Sequence, residues 1–133
     1  MTPDQLRLDE THAWLERARR DVRAAKLLIA GGACGEALFH CQQAVEQTLK
    51  TFLTYHQKPF RRTHVLSELS PACQEIDGSL QATLEQTDAL TKYAWQFRYP
   101  GAPYDPEASE AEDALRKAEA VLREIAQRVP RVR

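Results

Sequence analysis

The sequence predicts an all-α fold, an up-and-down bundle of four long helices and one short helix. Two long stretches, near residues 35–55 and 106–129, repeat apolar side chains every three or four positions, which is the period of an amphipathic helix. No stretch of convincing length alternates apolar and polar residues as a strand would. The chain has 133 residues, a length that suits one domain with a sizeable core. We therefore expect one domain over residues 1–133, with its helical core at about 11–129.

The first predicted helix covers residues 11–30 and ends at the Gly31-Gly32 pair, because glycine is favoured just past a helix end. Asp21 lies on its inward face, where a lone carboxylate would be costly to bury. The turn that follows is short, so the first and second helices should pack as an antiparallel hairpin.

The second helix, residues 35–55, is the centre of the predicted bundle. Its apolar stripe consists of Leu38, Cys41, Val45, Leu49 and Phe52. The opposite side is polar and predicted to be solvated: Glu36, His40, Gln43, Gln47, Lys50 and Thr54. Glu46 precedes Lys50 by four residues, the favourable order for an exposed ion pair. The stripe is wide enough to require other helices against it.

The second half of the chain supplies those helices. Thr63 is suited to cap a short helix that runs through Leu69. A fourth helix is predicted from near Ser79 to Arg98, where Pro100 and the glycine after it end it. After the loop 99–105, Asp105 can cap the last helix, whose apolar positions extend to Val129.

Composition excludes several classes of protein. The formal net charge is −1, so no field of the whole molecule draws the chain to nucleic acid or to an anionic membrane. No apolar run approaches the roughly 20 residues of a membrane span, and the first 30 residues are unlike a secretory signal, which predicts a cytoplasmic protein. Three cysteines without a CxxC, and histidines without an HExxH, predict buried thiols and no metal site.

Two charged residues, Asp21 and Arg98, are predicted to point into the bundle. They can form a structural ion pair, because a buried arginine needs a carboxylate, a phosphate or several acceptors. Alternatively, Asp21 orients the Arg98 guanidinium to bind a phosphate in a groove beside the loop that holds Tyr99 and Tyr104. The two interpretations are compatible.

His64 and Lys50 are further candidates for a ligand site. His64 follows two arginines at a loop-to-helix junction, where it could bind phosphate or transfer a proton near neutral pH. An ordinary hydrogen-bonding role is the alternative for His64, and simple solvation is the alternative for Lys50. Neither a Gly-rich phosphate loop nor a nucleophile elbow is present in the sequence.

Four segments together resemble the HEPN domain family: WLERARRDVRAAKLLI, ALFHCQQAVEQTLKTFL, THVLSEL and the FRYPG that contains Arg98. The resemblance covers about residues 14–125. It implies a helical bundle that commonly forms a homodimer. It also implies a minimal nucleotidyltransferase as partner, the two proteins acting as a toxin–antitoxin-like module.

The resemblance also implies that related proteins include metal-independent ribonucleases, in which four to six residues separate a motif arginine from a histidine. Arg98 matches that arginine, but the histidine positions hold Pro103, Tyr104 and Asp105. The resemblance therefore favours binding of nucleotide or RNA phosphate, without a cofactor, over catalysis.

Two alternatives remain at this point. The chain could be a degenerate ribonuclease in which Arg98 and His64 act together, or it could be a non-catalytic dimeric interaction module. The residues expected to bind a ligand are Arg98, Asp21, Tyr99, Tyr104, His64 and Lys50.

Overall fold

A computed structural model describes residues 1–131 of the protein, and within that range all regular structure is helical. The five α-helices are α1 (Pro3–Ala30), α2 (Cys34–Tyr55), α3 (Ser70–Ile76), α4 (Gln81–Glu85) and α5 (Ala108–Ala126). Three 3-10 segments accompany them: Leu66–Glu68, Gly78–Leu80 and Asp88–Ala94. The all-α prediction is confirmed. None of the helices in residues 1–131 combines the length and apolar character needed to cross a membrane.

Helix α1 begins eight residues before the predicted start. Thr2 accepts a hydrogen bond from the Gln5 backbone N–H at 3.1 Å, and the Gln5 side chain accepts one from the Thr2 N–H at 2.8 Å. This reciprocal capping, with Pro3 in the first turn, satisfies amides that would otherwise lack partners. At its other end α1 stops at Ala30 as predicted, and Gly32 takes a φ of 80° in the turn to α2.

Helix α2 is covered on nearly all sides, which contradicts its predicted polar, solvated face. The polar residues that are buried include Gln42, Glu46, Gln47, Thr48, Lys50 and Thr51. Helices α1 and α5 pack along α2, and Trp14 and Phe60 lie over Lys50. The buried hydroxyl groups of Thr48 and Thr51 have hydrogen-bond partners within α2, because they donate to carbonyls one turn earlier at 2.7 and 2.8 Å. The core is built around Phe52, Leu38, Leu49 and Leu53 of this helix.

The predicted fourth long helix is instead a chain of short segments, so that part of the prediction is wrong. Side-chain hydrogen bonds compete there with a continuous helical ladder. The buried Thr87 hydroxyl donates to the Leu84 carbonyl at 2.8 Å, and Thr91 accepts from the Leu66 N–H at 3.0 Å. Ser70 donates to the carboxylate of the residue after Thr87 at 3.0 Å. The last two contacts tie the segment to its neighbours in the fold, and the Thr87 contact closes a local turn instead of continuing the helix.

Helix α5 forms as its apolar period predicts, although it begins at Ala108 with Glu107 as the capping position, not Asp105. Its buried face consists of Ala111, Ala114, Ala118, Val121 and Ile125. A bridge of 3.1 Å from Lys26 to Glu119 joins it to α1. The three cysteines are buried and unpaired, as predicted, and burial raises the pKa of the Cys41 and Cys73 thiols to about 12.

Candidate functional site

Arg98 is exposed, so the prediction that it points into the bundle is wrong. The interruption of the fourth helix is the cause, because the chain here continues in i to i+3 hydrogen bonds such as Arg98 N–H to Trp95 O at 3.1 Å. Phe97 takes the inward direction and packs against Gly35, where an added Cβ would stand only 3.1 Å from the Cβ of Phe97. The Arg98 guanidinium lies outside, 4.6 Å from the centre of the Phe39 ring, in cation–π contact.

The predicted ion pair between Asp21 and Arg98 is also wrong. Asp21 Oδ1 accepts a hydrogen bond of 2.7 Å from Nδ1 of His40, on the facing turn of α2. Because an ionised carboxylate only accepts, Nδ1 of His40 carries the proton. Asp21 is half-buried in this contact, which explains how a carboxylate is tolerated on the side of α1 that faces α2.

A groove of about 270 Å³ separates α1 from α2 at this level, and we call it the Phe39 groove. Its lining residues are Arg17, Arg20, Asp21, Phe39, Gln43 and Gln47. Arg20 is engaged with Glu16 at 3.4 Å, whereas Arg17 and Arg98 form no ion pair with a carboxylate of residues 1–131. Two guanidinium groups, of Arg17 and Arg20, and two amide side chains line a space that also holds one carboxylate. Arg98 lies over the ring of Phe39, which forms part of one wall. Such a set can bind phosphate oxygens bidentately.

The two tyrosines predicted to bind ligand lie near Arg98 in sequence but differ in their surroundings. Tyr99 is 64 % exposed. Tyr104 is anchored, since its hydroxyl donates to both carboxylate oxygens of Glu110, at 2.7 and 3.0 Å, and its ring meets Phe97 edge-on. The hydrogen bond to Glu110 raises the pKa of Tyr104, so still less of the tyrosine is present near neutral pH as the phenolate, the form that could act as a base.

Lys50 and His64 both contact a buried carboxylate, that of Glu46. The predicted Glu46–Lys50 ion pair is therefore present, but the prediction that it is exposed is wrong. Lys50 Nζ lies 2.9 Å from Glu46 Oε2, and the two side chains are only 9 % and 5 % exposed. His64 Nδ1 donates to Glu46 Oε1 at 2.8 Å, while Gln42 donates to the same oxygen at 3.2 Å. Gln42 also donates to the His64 carbonyl at 2.9 Å and so fixes the loop that carries the histidine.

The structure does not bring His64 and Arg98 of one chain together. Arg98 is anchored on Phe39 and His64 on Glu46, seven residues further along α2, or about 10 Å at 1.5 Å per residue. One phosphate would have to accept hydrogen bonds of about 3 Å from both side chains. His64 therefore does not complete the Arg98 site within a single chain. Within residues 1–131, no three His, Cys, Asp or Glu side chains are grouped as metal ligands.

Comparisons with known proteins decide the family. The family model described as the HEPN domain matches residues 11–129, which is most of the chain. This chain belongs to the HEPN family. The crystal structure of TT1696 from Thermus thermophilus is similar to it, with a TM-score of 0.72, 28 % sequence identity, and coverage of 90 % of this chain and 98 % of that one. No curated protein matches the sequence.

This HEPN chain has functional candidates that the sequence analysis missed. Phe39, the platform for Arg98, had no distinguishing signal within an apolar helix. Arg17 was not among the residues that the sequence singled out. The sequence did contain a signal for the His40–Asp21 and Lys50–Trp14 contacts, since in each pair the two residues lie at similar distances on either side of the turn between α1 and α2. In an antiparallel hairpin, positions equally distant from the turn face each other.

Proposed function

We propose that this HEPN chain is a phosphate-binding protein for a nucleotide or RNA, with Arg98 as its principal contact. The observation that carries the proposal is the position of the Arg98 guanidinium, exposed, without a carboxylate partner in residues 1–131, and held on Phe39 beside the groove that Arg17 lines. An arginine stacked on an aromatic ring has a fixed plane and keeps its N–H donors for a ligand. Because Arg98 is exposed, none of its N–H donors is buried without a partner, and solvent can occupy them until a ligand binds.

The attraction for an anion is local to the groove. The net charge of −1 gives the whole chain no attraction for RNA, so affinity must come from the guanidinium groups at the groove. Asp21 opposes an anion there, but its hydrogen bond to His40 directs the carboxylate toward that ring. The arginines at and beside the groove, Arg17, Arg20 and Arg98, outnumber that single carboxylate.

Binding, not cleavage, is the activity we propose. Positions 103–105 lack the histidine of the HEPN ribonuclease motif, and the hydroxyl of Tyr104 is engaged by Glu110. Because the motif histidine is absent, we expect the phosphate contacts to hold an RNA strand without cutting it.

The direct test is fluorescence anisotropy of a labelled single-stranded RNA of about ten nucleotides, titrated with wild-type protein and with Arg98→Gln. We expect saturable binding that weakens about tenfold in the variant, since a charge-assisted hydrogen bond contributes about 1.5–3 kcal/mol. Arg116→Gln on α5 is the matched control, because Arg116 is also exposed but is paired with Asp113 and does not line the Phe39 groove. Equal dissociation constants for wild type and Arg98→Gln, or no saturation, would refute the proposal.

We further propose that the chain forms a homodimer and acts in the cytoplasm with a minimal nucleotidyltransferase, as a toxin–antitoxin-like pair. Membership in the HEPN family supports this partnership. Size-exclusion chromatography with light scattering should give twice the mass of one chain. Co-expression with a nucleotidyltransferase from a neighbouring gene should yield a stable complex and reverse any growth arrest caused by this chain alone. A monomer would contradict the first expectation, and failure to co-purify would contradict the second.

A further inference from the structure

A second cavity lies beyond the Phe39 groove, toward the other end of the α1–α2 hairpin. Its volume is about 440 Å³, and we call it the Lys50 pocket. The lining residues are Trp14, Lys50, Phe60, Arg62, Thr63 and His64. The volume is within the range of pockets that hold small organic ligands, about 300–1,000 Å³.

The floor of the pocket is a buried cation. Lys50 is only 7 % exposed, yet its ammonium group has three N–H donors and one carboxylate partner, Glu46. The Nζ atom lies 5.4 Å from the centre of the Trp14 ring and 5.7 Å from that of Phe60. Aromatic faces compensate a cation only partly, so this ammonium retains capacity to bind an anion.

The residues at the rim of the pocket are held in place and still have hydrogen-bonding atoms available for a ligand. His64 donates through Nδ1 to Glu46, which fixes the ring and leaves its Nε2 for a ligand, with the side chain 63 % exposed. Arg62 is exposed and forms no ion pair within residues 1–131. The Thr63 oxygen accepts from the Val65 N–H at 3.0 Å, so its own hydroxyl proton is left to donate.

The charges in and under the pocket favour a phosphate. Lys50 and Arg62 bring two positive charges against the single negative charge of Glu46, which already accepts from three donors. A phosphate dianion would meet a net positive site with donors from lysine, arginine and threonine. Trp14 and Phe60 meet edge-on with centroids 6.2 Å apart and provide an aromatic wall beside these donors. A planar ring attached to the phosphate could pack on that wall.

We propose that the Lys50 pocket binds a phosphate monoester that carries a planar base, a group found in a nucleoside monophosphate and at the phosphorylated end of an RNA strand. This site shares no lining residue with the Phe39 groove, so it goes beyond the function proposed above and does not depend on Arg98. Arg62 and Lys50 contact the phosphate, and Nε2 of His64, the acceptor when Nδ1 donates to Glu46, accepts from a hydroxyl group of the ligand. Glu46 is a positioning residue, since it holds both Lys50 and His64.

The test is isothermal titration calorimetry of the full chain with AMP, adenosine and inorganic phosphate. We expect saturable binding of AMP, and at least tenfold weaker binding of adenosine, which lacks the phosphate, and of phosphate, which lacks the base. Arg62→Gln should weaken AMP binding about tenfold, as expected for loss of one charge-assisted contact. Arg61→Gln is the matched control, because Arg61 is the exposed neighbour that does not line the pocket.

Two further measurements separate the possible outcomes. In Arg98→Gln, AMP binding should still weaken when Arg62 is also changed to Gln, so loss of RNA binding in the Arg98 variant cannot be mistaken for failure of this pocket. Comparison of a short RNA with and without a 5′-phosphate identifies the source. An Arg62-dependent preference for the phosphorylated strand indicates an RNA end, and AMP binding without that preference indicates a free nucleotide. Equal affinity of AMP for Arg62→Gln and Arg61→Gln, or of AMP and adenosine for the wild type, would overturn the proposal.

Discussion

Removal of the Glu46 carboxylate should destabilise this protein more than any change to its exposed ion pairs. In Glu46→Gln the Lys50 ammonium stays buried without a counter-charge. At the observed separation of 2.9 Å, the attraction between the two charges is about 6 kcal/mol for an effective dielectric constant near 20. Desolvation offsets much of this, and removing one partner of a buried pair typically costs about 3–5 kcal/mol. We expect Glu46→Gln to lose that amount.

A double-mutant cycle makes the expectation specific to the pair. Lys50→Met alone should cost less than Glu46→Gln, because His64 and Gln42 still donate to the carboxylate. The double variant buries no charge and should be more stable than the sum of the two losses predicts, by about 2 kcal/mol. Urea unfolding followed by circular dichroism at each corner of the cycle supplies the four free energies.

The chain contains a matched control for this cycle. Asp113 and Lys117 have the same spacing and order, with Nζ 3.0 Å from the carboxylate, but the side chains are 51 % and 32 % exposed. Their coupling should be about 0.5 kcal/mol or less, as for exposed helical pairs. If Glu46→Gln costs no more than Asp113→Asn, the buried network does not have the energetic role described here.

Three other predictions follow from the core and from the shifted pKa values. Phe52 is 1 % exposed, so Phe52→Ala should lower the free energy of unfolding by about 3–5 kcal/mol in urea titrations, and a loss below about 1 kcal/mol would contradict its place in the core. Because burial raises the pKa of Cys41 and Cys73 to about 12, both thiols should resist an aromatic disulfide reagent at about pH 8 until the protein unfolds, and rapid reaction of either would show that it is accessible. Hydrogen bonds, the largest contribution from Ser79 and the next from Arg128, lower the pKa of Asp77 from 3.8 to about 2. The stabilisation from this lowered pKa is present above pH 3.8 and is lost as the pH falls toward 2, so the unfolding midpoints of wild type and Asp77→Asn should differ at about pH 7 and converge over that range. A gap that does not narrow would refute this.

The parts of the fold that depend on a local period could be predicted from the sequence. Helices α2 and α5 follow their apolar repeats, and α1 ends at its glycine pair. The start of α1 was missed, although Thr2 and Gln5 carry the capping signal. The segment before Arg98 could not be predicted, because contacts such as that of Thr91 with the distant Leu66 N–H decide its shape.

The candidate site, too, could be predicted only in part from the sequence. Residue types and spacing indicated Arg98, His64 and Lys50, but not their surroundings. A Glu and a Lys four residues apart look the same whether solvent or a loop covers them. Here the covering groups are Trp14 from α1 and Phe60 from the connection after α2, which only the assembled fold brings to Lys50.

The central claim is that Arg98 contacts a phosphate of bound RNA, and the salt dependence of affinity tests it most directly. For single strands, the slope of log K against log salt concentration is about −0.7 for each phosphate neutralised. Anisotropy titrations between about 50 and 200 mM salt should therefore give Arg98→Gln a slope shallower than that of wild type by about 0.7, whereas Arg116→Gln keeps the wild-type slope. Parallel lines for wild type and Arg98→Gln would show that this guanidinium neutralises no phosphate.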